Sequence, residues 1–128
     1  MNVFKNLLGS SETPNNTSKM EWNMLTDLGQ LDEIIDLSHE KRVLIFKHST
    51  RCSISRFALK QFENEFKLED VVAPYFLDLL AHRMISNEIA NRFDVAHQSP
   101  QILLIKNGKA IYNASHSDID AQNLNEFI

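Results

Sequence analysis

The sequence predicts an α/β fold in which helices flank a central mixed β-sheet. Segments whose apolar residues have helical spacing alternate with β-prone runs along the chain, as expected of helices that pack on a sheet. The run RVLIF, Arg42 to Phe46, has the continuous apolar character of a strand covered on both faces. Two further β-prone runs flank Asn107-Gly108, a pair that favours a tight hairpin turn and adds antiparallel strands to the sheet.

Length and composition limit the classes of protein to which the chain can belong. Its 128 residues, 43% of them apolar, are enough for one domain with a core of its own. Thirteen basic residues against seventeen acidic ones give a net charge of −4. This balance argues against nucleic acid and against an anionic membrane as partners.

The first nineteen residues differ in character from the rest of the chain. Residues 9–19, GSSETPNNTSK, are polar, contain a proline and lack periodicity, so we predict a flexible leader over residues 1–19 and one domain over residues 20–128. An alternative is a docking arm, since one helical face carries Val3, Phe4, Leu7 and Leu8. The apolar part is too short for a signal peptide or a membrane span. A cytoplasmic location is expected.

Local patterns in the first half of the domain predict two strands and two helices. EWNML predicts a short strand, and Thr26 or Asp27 then caps a helix. That helix turns inward Leu28, Leu31, Ile34, Ile35 and Leu37. After the RVLIF strand, a second helix follows Cys52, with a recurring apolar set of Ile54, Ala58, Phe62 and Phe66.

The second half continues the alternation. VVAPYFLDL predicts a strand in which Pro74 indicates an edge position or a start nearer Tyr75. ISNEIANRF predicts a helix capped by Ser86 that buries Ile85, Ile89, Ala90 and Phe93. After the hairpin, DIDAQNLNEFI predicts an amphipathic helix with inward Ile119, Leu124 and Phe127. The order β-α-β-α-β-α-β-β-α is also that of the thioredoxin-like fold.

Cys52 is the candidate nucleophile, and it is the only cysteine in the chain. It follows a strand and a short loop and opens a helix, where backbone amides and the helix dipole favour the thiolate. Arg51 adds positive charge, and Ser53 and Ser55 offer hydroxyl donors to the sulfur. The alternative is an inert buried cysteine, the commoner state of free cysteines.

The spacing CSIS, Cys52 to Ser55, is that of a Cys-x-x-Cys motif whose second thiol is replaced by a hydroxyl. Because the chain has no other sulfhydryl, an internal disulfide is impossible. A monothiol cycle remains, in which Cys52 takes a group from a mixed disulfide and an external thiol removes it. Ser55 is alternatively an ordinary residue of the first helical turn.

Three motifs, FKHSTRCSIS, SPQILLIKNG and SHSDI, together resemble the YtxJ family, the monothiol bacilliredoxins. The resemblance implies a thioredoxin-like fold with Cys52 as nucleophile and Ser55 as the serine that ends the family's signature. It further implies a cis Pro100 facing the cysteine, with Ser99 pairing with substrate through its backbone, although trans is the commoner form of proline. The chain departs from the family at Ser53, where proline is common.

The resemblance implies an activity: removal of bacillithiol from S-bacillithiolated proteins, with bacillithiol as thiol co-substrate and no tightly bound cofactor. Bacillithiol carries a sugar and the carboxylates of malate, for which Lys47, Arg51 and the Ser99 backbone are the candidate partners. For Lys47 in particular, solvent exposure without such a role is also expected.

Three histidines, His48, His97 and His116, lie in or next to these motifs. His48, four residues before Cys52, either lines the site or merely ends a strand. Cys52 and His48 are too few for a zinc site, so no metal is expected. His116 is expected to cap the junction between the hairpin and the last helix, and His97 to be a solvated loop residue near Pro100.

The sequence leaves two other functions open. One is an iron–sulfur carrier of the monothiol-glutaredoxin kind, in which one cysteine per subunit and an external thiol hold a cluster across a dimer. The other is a redox-inactive module that keeps the fold for protein interaction.

Overall fold

The structure, a computed structural model, describes residues 20–128. The leader predicted over residues 1–19 and the docking arm within it lie outside the described residues. The strands are β1 (Asn23–Met24), β2 (Arg42–His48), β3 (Val72–Asp78), β4 (Gln101–Lys106) and β5 (Lys109–Ser115). The helices are α1 (Gln30–Leu37), α2 (Ser53–Glu65) and α3 (Arg83–Phe93), followed by 3-10 helices at His116–Asp118 and Ala121–Phe127.

The strands form one mixed five-stranded sheet in the order β1-β3-β2-β4-β5. Strand β3 runs parallel to β1 and β2, whereas β4 is antiparallel to both β2 and β5. The predicted fold class and element order are confirmed. The closing helix is the exception, since it is 3-10 rather than α-helical and begins only after Ile119.

Two apolar cores lie on opposite faces of the sheet. Alternate residues of β2 enter each core, which explains why its sequence reads as a continuous apolar run. One core joins α1 and α3 to the sheet and includes Leu31, Ile34, Val43, Ile45, Ile85 and Ile89. The other joins α2 and the last 3-10 helix to the sheet and includes Leu44, Phe46, Phe62, Phe66, Ile102 and Leu124.

Pro74 lies inside β3 and not at the edge of the sheet, so the edge assignment was wrong. The carbonyl oxygens of Pro74 and Phe76 accept hydrogen bonds from the β1 side, from the Asn23 side chain at 3.1 Å and the Leu25 N–H at 2.8 Å. The backbone of Pro74 therefore faces β1, which pairs only from Tyr75 onward. A proline here removes no ladder bond to β2.

Both predicted helix caps need correction. The N-cap residue of α1 is Gly29 and not Thr26 or Asp27. Asp27 lies in the turn before the helix, where its carboxylate accepts the Gly29 N–H at 2.9 Å. Helix α3 begins at Arg83 after His82, which places Ser86 inside the first turn and buries it completely. The apolar patterns also overstate burial, since Leu28 is 41% exposed and Ile54 62% exposed.

The hairpin is confirmed at the predicted pair. Asn107 and Gly108 both have positive φ, 52° and 76°, as a tight two-residue turn between twisted strands requires. The Asn107 and Gly108 N–H groups donate to the carbonyl and the hydroxyl oxygen of Ser38, at 2.9 and 2.8 Å. The turn is thereby anchored to the end of α1. Across residues 20–128, no helix has the length and apolar character needed to cross a membrane.

Candidate active site

The candidate site lies at one end of the strands of the sheet. Strands β2 and β3 run parallel and end there, at His48 and Asp78. Strand β4 is antiparallel to β2 and begins there, with Gln101 paired to Lys47. The loop that leads from β2 to Cys52 and the loop that carries Pro100 into β4 therefore meet at the same end, as the family resemblance implied.

Cys52 is partly exposed and is the N-cap residue of α2, with extended backbone angles of −105° and 119°. Its N–H donates to the Ser49 carbonyl at 3.2 Å, and its carbonyl accepts the Arg56 N–H at 3.0 Å. Arg51 and Ser53, on either side, are exposed. The thiol thus sits at the start of a 13-residue helix, within reach of an incoming disulfide.

Ser55 is fully buried, and its hydroxyl is engaged inside the protein. The oxygen accepts the Ser49 N–H at 3.0 Å and lies 2.8 Å from Nδ1 of His48. The hydroxyl expected as a donor to the sulfur instead ties the loop before Cys52 to the end of β2. Ser55 therefore supports the thiol through the backbone around it.

His48 is 4% exposed and lies beneath the start of α2. Its ring lies beside those of Phe76 and Phe46, with centroids 5.4 and 6.5 Å away. Burial lowers the pKa of His48; the charges of Asp78 and Glu63 oppose this shift, and that of Arg56 adds to it. Its imidazole is a neutral, buried partner of Ser55 and does not line the surface of the site.

The Ser99-Pro100 bond is cis, as the resemblance implied. Pro100 is buried, and its carbonyl accepts the His116 N–H at 3.0 Å, which links this loop to the junction after β5. The Ser99 hydroxyl is also buried, and it has no hydrogen-bond partner within the part of the chain that the structure describes.

Lys47 is completely buried, so the expectation of a solvent-exposed side chain was wrong. Its Nζ lies 3.3 Å from the carbonyl of Ser86 and 3.3 Å from Nδ1 of His97. Burial lowers its pKa from 10.5 to about 8. The burial of Lys47 could have been read from the alternation of side chains along β2. Successive side chains point to opposite faces of a strand, so Lys47 lies on the same face as the buried Val43 and Ile45.

His97 is more than a solvated loop residue. The residue is exposed overall, but its ring is partly buried, because Nδ1 faces Lys47 and lies 3.2 Å from the hydroxyl of Ser86. Burial of the ring lowers its pKa, and the positive charges of Lys47 and Arg83 lower it further. His97 thus connects β2, α3 and the Pro100 loop.

The described site offers one accessible sulfur, a helix start and a cis-proline loop. Among residues 20–128, no group of three or more His, Cys, Asp and Glu side chains is arranged to hold a metal ion. This arrangement is suited to exchange between a thiolate and a disulfide, in which one sulfur attacks another.

Comparisons with known proteins agree with that chemistry. Residues 23–124 match the model of a family described as monothiol bacilliredoxin BrxC. A solved structure described as a proposed oxidoreductase with a thioredoxin fold is 32% identical, with a TM-score of 0.70 over 80% of this chain and 89% of that one.

Two thioredoxins show the same fold at lower identity. The Malassezia sympodialis protein (Mala s 13) is 18% identical with a TM-score of 0.66, over 89% of this chain and 93% of that one. Mitochondrial thioredoxin 3 from Saccharomyces cerevisiae is 19% identical with a TM-score of 0.59, over 84% and 92%.

Proposed function

Because the chain belongs to the monothiol bacilliredoxin family and is a thiol oxidoreductase of the thioredoxin fold, we propose that it removes bacillithiol from S-bacillithiolated proteins. The observation that carries the proposal is the single thiol of Cys52 at the start of α2, with a buried serine at the position of a resolving cysteine. A site built in this way takes a small thiol from a protein and depends on another thiol for release.

The proposed cycle has two exchange steps. In the first, the Cys52 thiolate attacks the bacillithiol sulfur of the mixed disulfide. The bond to the substrate protein breaks, a bond to Cys52 forms, and the substrate cysteine leaves as a thiolate that takes a proton from water. In the second, the thiolate of a small thiol attacks the same bacillithiol sulfur. This step frees Cys52 as a thiolate and releases a small-molecule disulfide.

The other site residues have proposed roles around this exchange. The Ser99 backbone and Pro100 position the incoming disulfide, and Arg51 and the first amides of α2 stabilise the thiolate. Ser53 adds one N–H close to the sulfur, which a proline would lack. His48 and Ser55 hold the loop in place. The proposed setting is the reducing cytoplasm, with bacillithiol as co-substrate and modified proteins as substrates.

The test is the intact mass of the full chain after incubation with an S-bacillithiolated model protein, and separately with oxidised bacillithiol or oxidised glutathione. We expect one bacillithiol adduct on the wild type and matching loss of bacillithiol from the model protein. Cys52→Ser should abolish both, whereas the neighbouring Ser53→Ala should keep both.

Two results would contradict the proposal. An unmodified wild type after every incubation would mean that Cys52 is inert and that the protein acts as a binding module. Equal rates with bacillithiol and glutathione disulfides would leave a reactive cysteine without preference for bacillithiol.

A further inference from the structure

Two basic residues, Lys47 and His97, meet beside the cis-proline loop. The Nζ of Lys47, on β2, lies within 3.3 Å of Nδ1 of His97. Ser86, in the first turn of α3, contacts both residues: its carbonyl accepts from Lys47, and its hydroxyl lies next to Nδ1 of His97. Arg83 begins that helix, and its charge acts on His97. The chain thus gathers an ammonium and an imidazole at one corner of a protein whose net charge is −4, and the charge of the Arg83 guanidinium acts on the imidazole.

Within residues 20–128, neither Lys47, His97 nor Arg83 forms an ion pair with a carboxylate. The ion pairs of the described chain both belong to Arg92, which binds Asp32 and Glu88. Asp78, the acidic residue at the end of β3, accepts the Leu80 N–H and acts on His48, which lies on the opposite face of the sheet. A buried ammonium without a counter-ion is costly, so an external anion has a physical reason to bind here.

The cluster has donors on its outer side. Nδ1 of His97 accepts from the buried ammonium of Lys47, so the proton of the neutral ring lies on Nε2. His97 and Arg83 are both exposed, whereas Lys47 is not. Nε2–H and the guanidinium can therefore contact a ligand directly, while Lys47 contributes its charge from behind.

The cluster adjoins the cis-proline loop, which meets the loop leading to Cys52 at the same end of the sheet. Lys47 lies five residues before Cys52 and pairs with Gln101, the residue that follows Pro100. His97 lies three residues before Pro100, and the intervening Ser99 has the buried hydroxyl without a partner. A small thiol joined to Cys52 and lying along the cis-proline loop would extend over this corner.

We propose that His97 and Arg83, backed by Lys47, form a subsite that binds the carboxylate-bearing part of the small thiol exchanged at Cys52. The inference rests on the proposed function and deepens it, because it assigns the recognition of the anionic end of the co-substrate. In bacillithiol, that end is the malate.

The test compares how fast Cys52 forms an adduct with disulfides that differ in charge. The probes are the dianionic dithiodipropionate, neutral 2-hydroxyethyl disulfide, cationic cystamine and oxidised bacillithiol, each at low and high salt. The double variant His97→Gln/Arg83→Gln should slow the reactions of dithiodipropionate and oxidised bacillithiol about tenfold, as expected for the loss of charge-assisted hydrogen bonds. The rate with the neutral probe should change less than about twofold, and added salt should reduce the preference for the anionic probes.

Lys67→Gln/Lys109→Gln is the matched control, because it removes two exposed cations at the end of α2 and at the hairpin turn, away from the site. This control variant should leave the order of the four probes, ranked by their rates of adduct formation with Cys52, unchanged. Equal slowing of all four probes by His97→Gln/Arg83→Gln would overturn the subsite and leave the cluster with the role of holding the loop. A wild type that reacts with no probe would overturn the proposed function, and the subsite with it.

Discussion

At the scale of single residues, the pair Ser55 and His48 explains how the site is built around one thiol. A hydroxyl at this position accepts the Ser49 N–H and bonds to a buried ring, which leaves the loop before Cys52 held by the protein itself. Such buried polar groups are costly when one partner is removed. The serine therefore has a structural task in addition to marking the absence of a second thiol.

Replacing Ser55 by cysteine should convert the monothiol site into a dithiol site. Residues three apart at the start of a helix have Cα atoms about 5 Å apart, within the range that a disulfide spans. After incubation with oxidised bacillithiol, we expect Ser55→Cys to carry no bacillithiol adduct. Its mass should be lower than that of the reduced variant by two hydrogen atoms, because an internal disulfide has formed. Intact mass spectrometry follows this reaction.

The matched control is Ser53→Cys, in which the two Cα atoms are about 3.8 Å apart across one peptide bond, too close for an unstrained disulfide. It should keep the adduct. A lasting adduct in Ser55→Cys would show that position 55 cannot reach the mixed disulfide.

His48 should make stability depend on pH. Since burial holds its folded pKa below 6.5, the unfolded chain binds its proton first as the pH falls. The free energy of unfolding should therefore decrease as the pH drops from about 7 to 5, by at most about 1.4 kcal/mol per pH unit for one proton. Urea unfolding across this range measures the slope.

His48→Asn should lessen that slope, because an amide keeps a polar group near Ser55 without titrating. The exposed His39 offers the comparison, and His39→Asn should leave the slope as it is. His97, whose pKa is also lowered, contributes in the same direction. A slope in His48→Asn as steep as that of the wild type would assign the effect to other groups.

At the scale of elements, the hairpin between β4 and β5 couples a local turn to a distant helix. Asn107 and Gly108 supply the positive φ angles that the turn needs, and their N–H groups bond to Ser38 at the end of α1. The hairpin orients β4, and the first residue of β4 follows Pro100. The turn thus supports the strand that carries the cis-proline loop.

Gly108→Ala should destabilise the protein by about 1–2 kcal/mol, the cost of a left-handed backbone for a residue with a Cβ. A Cβ would meet Cγ2 of Ile35 at 3.6 Å, an ordinary contact, so the cost is conformational and not steric. Chemical denaturation measures it. Asn107→Gly is the opposite change at the adjacent position and should not lower the stability. A Gly108→Ala variant as stable as the wild type would contradict the argument.

At the scale of the whole molecule, an aromatic cluster joins β1, the sheet and α2. Trp22 packs against Phe62, Phe46 and Phe76, with ring centroids 5.6 to 6.3 Å apart. Its indole N–H donates to Glu63 at 2.6 Å. Since Phe62 belongs to α2, this cluster fixes the helix that carries Cys52 at its start.

Phe62→Ala should cost about 3–5 kcal/mol, because it empties a fully buried site in this cluster. The same helix offers a control in Phe57, which is 72% exposed. Phe57→Ala should change stability by less than about 0.5 kcal/mol. Circular dichroism during urea unfolding compares the two; equal losses would show that the exposed ring is packed in solution.

Much of this architecture was predictable because it depends on short-range patterns. The apolar run Arg42 to Phe46, the Asn107-Gly108 pair and the placement of Cys52 before a helix each lie within a few residues of sequence. Helix boundaries were less predictable: Ser86 resembles a cap, yet the helix begins at Arg83 and buries it. The residue at which a helix begins depends on the position and direction of the chain as it leaves the preceding strand. A local sequence pattern does not specify these.

The sequence by itself determined the order of elements, and it excluded a dithiol cycle, since one cysteine without a second thiol cannot form an internal disulfide. The tertiary structure alone decided that Lys47 is buried against His97, and that the Ser55 hydroxyl is bound to His48 instead of facing the sulfur. These contacts join residues from separate strands, helices and loops. They depend on how the sheet brings distant segments to one end of its strands, and propensity and spacing do not specify that.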